Sequence, residues 1–155
     1  MSDPPDEVEA TESTNEQLAR IREHIHPHCV VCGSQNLAGL HLNFNALPDG
    51  SVQAEFCCRK VFEGYPHTLH GGIICLLLDG AMTNCLFVHN HIGVTAELCV
   101  KFQHPVATER PVLVRAQIVD SSHHLHYLSA ELQQDGRTMA IATAKFMEQP
   151  KSADR

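Results

Sequence analysis

The sequence predicts an α+β domain in which a curved antiparallel sheet wraps one long central helix. Residues 71–88, "GGIICLLLDGAMTNCLFV", are apolar on nearly all sides, through Ile73, Ile74, Leu76, Leu77, Leu78, Ala81, Met82, Leu86 and Phe87. A helix without a polar face must be surrounded by other structure. Downstream, the β-rich segments "GVTAELCVKF", "PVLVRAQIVD", "HLHYLSAEL" and "TMAIATAKFM" follow one another with no helix-period segment between them. Between the last two stands "QQDGR", whose Asp135-Gly136 is a strong hairpin signal. Strands, one buried helix and then an antiparallel meander make the α+β reading.

The elements follow in order. Residues 1–13 are acidic and polar with almost nothing apolar, so they are expected to stay unordered, leaving one domain over 14–148 and a short tail over 149–155. "STNEQLARIREHI" offers Ser13 and Glu16 in capping-box spacing and an apolar stripe at Leu18, Ile21 and Ile25, which predicts a short amphipathic helix. In "LHLNFNAL", Leu40, Leu42, Phe44 and Ala46 alternate with polar residues, and "PDG" supplies a turn before "SVQAEFCC" alternates again. That pattern predicts a hairpin.

Composition bounds the function. At 155 residues the chain suits one domain with a real core, and its 43% hydrophobic and 19% charged fractions are those of a soluble globular protein. No apolar run is expected to reach the roughly 18 residues that a membrane span needs. The formal charge of −7 and the lack of any Lys/Arg cluster beyond Arg59-Lys60 argue against nucleic acid as a partner. Twelve histidines would carry that charge to +5 if all were protonated, so surface charge should depend steeply on pH between about 5 and 8. Seven cysteines, an odd and scattered set, together with an amino terminus that has neither basic start nor apolar stretch, fit a cytoplasmic protein with free, mostly buried thiols.

"GYPHTLHGGIICLLLDGAM" followed by "GVTAELCVKFQHPV" resembles the core of the PaaI-type hotdog-fold acyl-CoA thioesterases. In that family His-Gly-Gly opens the central helix and an acid follows nine residues after the His. "CVVCGSQNLAGLHLNF" and "DGRTMAIATAKF" resemble flanking segments, so the likeness covers about residues 26–147. It implies hydrolysis of an acyl thioester in an oligomer whose smallest unit is a dimer, with a tetramer open. CoA would enter as part of the substrate, with no separate cofactor.

The residues themselves support that chemistry. First-turn amides of a helix have no intrahelical partner, and the macrodipole adds about half a positive charge there. Gly71 and Gly72 carry no side chain, so an acyl carbonyl could approach them; Gly71 N–H is the first choice as oxyanion donor and Gly72 the second. Asp79 lies on the same face two turns on, and can act as general base on a water or as nucleophile. Burial should raise its pKa, so a donor must hold it charged; Thr95, at the family's Gly-Val-Ser/Thr position, could bind the carboxylate or the water. His70 could orient the carbonyl or hold backbone. His67 stands where relatives often have Gly, and Gly64 where some have Asn; both, with Met82 and Thr83, are expected at the substrate site. Seven residues of helix put Asp79 about 10 Å along the axis from Gly72, which favours a site composed from two chains about a two-fold axis.

Other signals point less clearly. Cys29 and Cys32 form a CxxC beside His26 and His28, where zinc is conceivable, but no second CxxC follows and a packed turn without metal is expected. His124 and His126 would share a strand face that solvent or an interface covers. They, or Lys101, Arg110 and Arg137, could meet the phosphates of CoA. A non-catalytic acyl-CoA-binding protein and a dehydratase of the same fold are the competing functions.

Overall fold

The computed structural model describes residues 5–150, with side chains from residue 14 onward. The elements are α1 (Pro5–Ile25), β1 (Asn45–Ala46), β2 (Val52–Cys57), α2 (Gly71–Val88), β3 (Gly93–Phe102), β4 (Pro111–Ser122), β5 (Leu125–Gln134) and β6 (Arg137–Glu148). All six strands form one antiparallel sheet in the order β1-β2-β4-β5-β6-β3. The predicted α+β class holds, with α2 over the residues expected.

Three expectations are corrected. Helix α1 begins at Pro5, so residues 5–13 are helical rather than unordered, and Ser13 lies inside the helix instead of capping it. Pro is compatible with a first helical position and acidic residues favour a helix's amino end, so "PDEVEATE" suits this role. The tail expected over 149–155 is described only at Gln149 and Pro150, and residues 1–4 also lie outside the described set. Strand β1 is two residues long, because Leu40 and Leu42 donate their N–H groups to Val30 and Val31 instead of to a strand. The meander is β4-β5-β6 alone: β3 crosses over to pair with β6 and forms the far edge.

The turns behave as their residues dictate. Gly50 takes φ +81° in the "PDG" turn, and Asp135 and Gly136 take +51° and +75° between β5 and β6, the left-handed pair that a two-residue hairpin requires. In register across the sheet, Ala116, Ala130 and Ala142 form a row of buried small side chains. They leave room on the inner face for α2, whose Leu77, Leu78, Ala81, Met82 and Leu86 have no exposed surface. By length and a mean hydropathy of 1.7, α2 could cross a membrane, contrary to the sequence reading; here 61% of that stretch is buried inside the protein.

Cysteine burial is mixed. All seven are free thiols, with Cys32, Cys58 and Cys85 buried but Cys57 and Cys99 exposed, so the expectation of mostly buried thiols is corrected.

Candidate active site

The amino end of α2 opens onto a cleft of about 700 Å³ whose walls include Leu69, His70, Ile74, Phe102, Pro105 and Val106. His70 is the helix N-cap: its Nδ1 accepts the Gly72 N–H at 2.8 Å, which assigns the ring proton to Nε2. This occupies the Gly72 amide, so the second-choice oxyanion donor is spent on the cap. Gly71 N–H has no hydrogen-bond partner among the described residues and stands at the cleft. A Cβ on Gly71 would lie 3.5 Å from the Phe102 ring, an ordinary contact, whereas one on Gly72 would press to 3.0 Å on His70 Nδ1.

Asp79 sits half-buried two turns further along α2. Thr95, on exposed strand β3, donates its Oγ1–H to Asp79 Oδ1 at 2.6 Å. Burial pushes the Asp79 carboxyl above the ordinary aspartate range; the Thr95 hydrogen bond opposes that push, and nearby Cys29 adds to it. The predicted pairing of acid and hydroxyl is therefore made. Asp79 is not part of the cleft wall at Gly71 of its own chain.

The remaining expected residues divide. Gly64 lines the cleft, where a Cβ would meet His70 Cδ2 at 3.2 Å, so its lack of a side chain lets the loop close on the cap. His67 stands exposed at φ +62°, its N–H bound to Glu63 Oε2, and does not line the cleft. Met82 has no exposed surface and packs in the core, which corrects its assignment to the substrate site: a residue on the inner face of α2 meets the sheet. Thr83 donates its hydroxyl to the Asp79 carbonyl at 3.0 Å and so binds backbone of its own helix. Of the three cations proposed for phosphates, Arg110 pairs with Asp135, while Lys101 and Arg137 are exposed. Tyr65, Phe102 and His104, which the sequence did not single out, all line the cleft; the exposure of Tyr65 and Phe102, 84% and 54%, is visible only in the fold.

Two side-chain clusters lie apart from that cleft. His26, Cys29 and Cys32 gather at the end of α1, and His91, His126 and Glu148 where β5 and β6 meet the loop after α2. His124 and His126 do not share a solvated strand face, which corrects that expectation. β5 starts at Leu125, leaving His124 in the preceding turn, while His126 is 1% exposed and bonded through Nδ1 to Ser121 at 2.9 Å.

Residues 67–141 match the thioesterase superfamily. That stretch is a little under half of the chain, and over it the chain is similar to the superfamily. Its fold is the superfamily's hotdog fold, a six-stranded antiparallel sheet about the long helix α2. Among solved structures it is similar to a phenylacetic acid degradation-related protein of Ralstonia eutropha JMP134, with 22% identity, 84% of this chain and 98% of that one covered, and a TM-score of 0.69. Zebra fish thioesterase superfamily member 2 shares 16% identity over 84% of this chain and 97% of its own, at a TM-score of 0.70. A thioesterase protein of Streptococcus pneumoniae TIGR4, crystallised with coenzyme A, shares 16% over 69% and 87%, at 0.65. No curated protein matches the chain in sequence.

Proposed function

We propose that this hotdog-fold domain hydrolyses acyl-CoA thioesters to free acid and CoA, at a site that two copies of the chain compose. The acyl group lies in the apolar cleft at the start of α2, and its carbonyl oxygen accepts the Gly71 N–H. Asp79 of the other copy takes a proton from water, whose oxygen attacks the carbonyl carbon. The carbon–sulfur bond then breaks and the sulfur of CoA leaves with a proton. Negative charge on the carbonyl oxygen is met by an amide at a helix amino end, where one such donor is typically worth about 3 to 4 kcal/mol.

The observation that carries this reading is the Thr95–Asp79 hydrogen bond. A base must be ionised at working pH, and burial works against that; a hydroxyl committed to the carboxylate works for it. Coenzyme A in the Streptococcus pneumoniae neighbour supports the substrate class. The two-chain arrangement is supported by the distance along α2, about 10 Å between Gly72 and Asp79, and by the free edge of β3. β3 is ten residues long, sits at the end of the sheet and exposes Val94 and Phe102 at 52% and 54%. Such an edge is a template for another strand.

The test is thiol release from short, medium and aromatic acyl-CoAs by the wild type and Asp79→Asn. Release by the wild type with a loss of at least about 100-fold in the variant supports the reading. Equal rates sink the assignment of Asp79, and binding of acyl-CoA without release replaces the hydrolase by an acyl-CoA-binding protein.

A further inference from the structure

The turn between α1 and the sheet brings three soft donors together with no role in the proposed hydrolysis. His26, Cys29 and Cys32 each aim one ligand atom into a space where all three lie within 4.8 Å of one another. The backbone shapes the cluster. His26 N–H continues the helical ladder to Arg22 O at 2.9 Å, so the last turn of α1 sets the position of its ring. That ring stands edge-on to Phe87 at 5.0 Å.

Next, Val31 N–H donates to Cys29 Sγ at 3.4 Å, and Gly33 N–H donates to Cys29 O at 2.9 Å. A Cβ on Gly33 would fall 2.4 to 2.7 Å from the backbone of Pro27 and Cys29, so the turn admits only glycine there. Asn84, on α2, points its Nδ2 at Cys32 Sγ from 3.5 Å. Each sulfur thus receives an N–H, the arrangement that suits thiolates. His26 Nδ1 is buried without a hydrogen-bond partner among the described residues. A buried polar atom left unpaired is destabilising, so its orphan state needs an explanation.

We infer that His26, Cys29 and Cys32 bind one zinc ion. Two sulfurs and an imidazole nitrogen form the donor set that zinc prefers over calcium or magnesium, and three protein ligands leave one tetrahedral position for water. Binding requires both sulfurs as thiolates, so any thiol proton present is released to solvent as the metal enters. The ion satisfies His26 Nδ1 and ties the end of α1 to the turn. That turn also carries Val31, which packs on α2 at Gly80, next to Asp79. The metal is therefore a brace for the helix segment that bears the acid, and its presence does not depend on the chain being a hydrolase. The second cluster differs in its donors: it holds no sulfur, and Glu148 Oε1 already lies within hydrogen-bonding distance of His91 Nδ1 at 3.3 Å.

The test uses the full chain purified under reducing conditions, stripped with a chelator, and reloaded with zinc or cobalt(II). The expected result is one zinc per chain, a cobalt spectrum with a thiolate-to-metal charge-transfer band, and a loss of affinity of roughly 100-fold or more in Cys29→Ser and Cys32→Ser. His26→Ala, checked for folding by circular dichroism, should weaken binding while keeping the charge-transfer band, and His126→Ala should bind as the wild type does. Failure to bind zinc stoichiometrically overturns the inference. So does a cobalt spectrum without the thiolate band, which would put the metal at His126, and so does recovery of Cys29 and Cys32 as a disulfide that reductant opens without creating a zinc site.

Discussion

Thr95 Oγ1 donates a 2.6 Å hydrogen bond to Asp79 Oδ1, joining the middle of the buried helix to the free edge strand. It opposes the upward push of burial on the acid. Thr95→Val removes that opposition, so the carboxyl's pKa rises further and the carboxylate loses its hydrogen-bonded partner. Hydrolysis at pH 7 should fall by about 10-fold or more, the acidic limb of the kcat/KM profile should move to higher pH, and Thr95→Ser should restore both. An unchanged acidic limb in Thr95→Val would separate this hydroxyl from the chemistry.

Asp79→Asn should stabilise the fold while it abolishes hydrolysis. The folded pKa of Asp79 is raised, so the fold favours the protonated acid: that advantage is present below the ordinary value of 3.8 and is lost as pH rises through the folded value. At pH 7 the ionised group is a cost that Asn lacks. The Tm of the variant should exceed that of the wild type at pH 7, and the difference should shrink on acidification towards pH 3.8.

Gly80 faces Val31 so closely that an added Cβ would lie 2.5 Å from Val31 Cγ1. Valine has few rotamers to escape into, so Gly80→Ala should destabilise the chain by about 1 to 3 kcal/mol in urea unfolding. Val31→Ala should recover most of that loss in the double variant. Additive losses would show that the two residues do not press on one another.

His126 contributes an acid-sensitive element. Burial, helped by the neighbouring His91 and opposed by Glu148, holds its pKa below the ordinary value of 6.5. The neutral ring is favoured in the fold, so its contribution is present above pH 6.5 and is lost as pH falls through the lower folded value. Urea unfolding between pH 7 and 5 should show stability falling with acidification, and His126→Gln should flatten that slope.

Self-association should follow the β3 edge. In solution the mass should be that of a dimer or a multiple of it, and Val94→Asp should weaken association and hydrolysis together. A monomer with full activity would remove the partner from the site.

Much of this was legible along the chain. The all-apolar run from Gly71 to Val88 requires a surrounding sheet whatever its topology, because a helix without a polar face cannot meet water. The left-handed pair Asp135-Gly136 announces its hairpin locally, and Asp79 is conspicuous as an acid in that run. The pairing of Thr95 with Asp79, sixteen residues apart, was legible only through the family resemblance. Met82 was misplaced because residues three apart on a helix lined on nearly all sides give no sign of which face meets ligand and which meets sheet.

The sequence alone thus determined what depends on neighbours in the chain: the buried helix, the turns, the acid within the helix and the unpaired amide at its start. Tertiary structure alone decided what depends on distant segments meeting. It sent β3 to the edge beside β6, lent the Gly72 amide to His70, buried His126, and gathered His26 with Cys29 and Cys32. The physical reason is that propensity and periodicity act over a few residues, whereas strand order, burial and side-chain pairing are settled by packing the whole chain around α2.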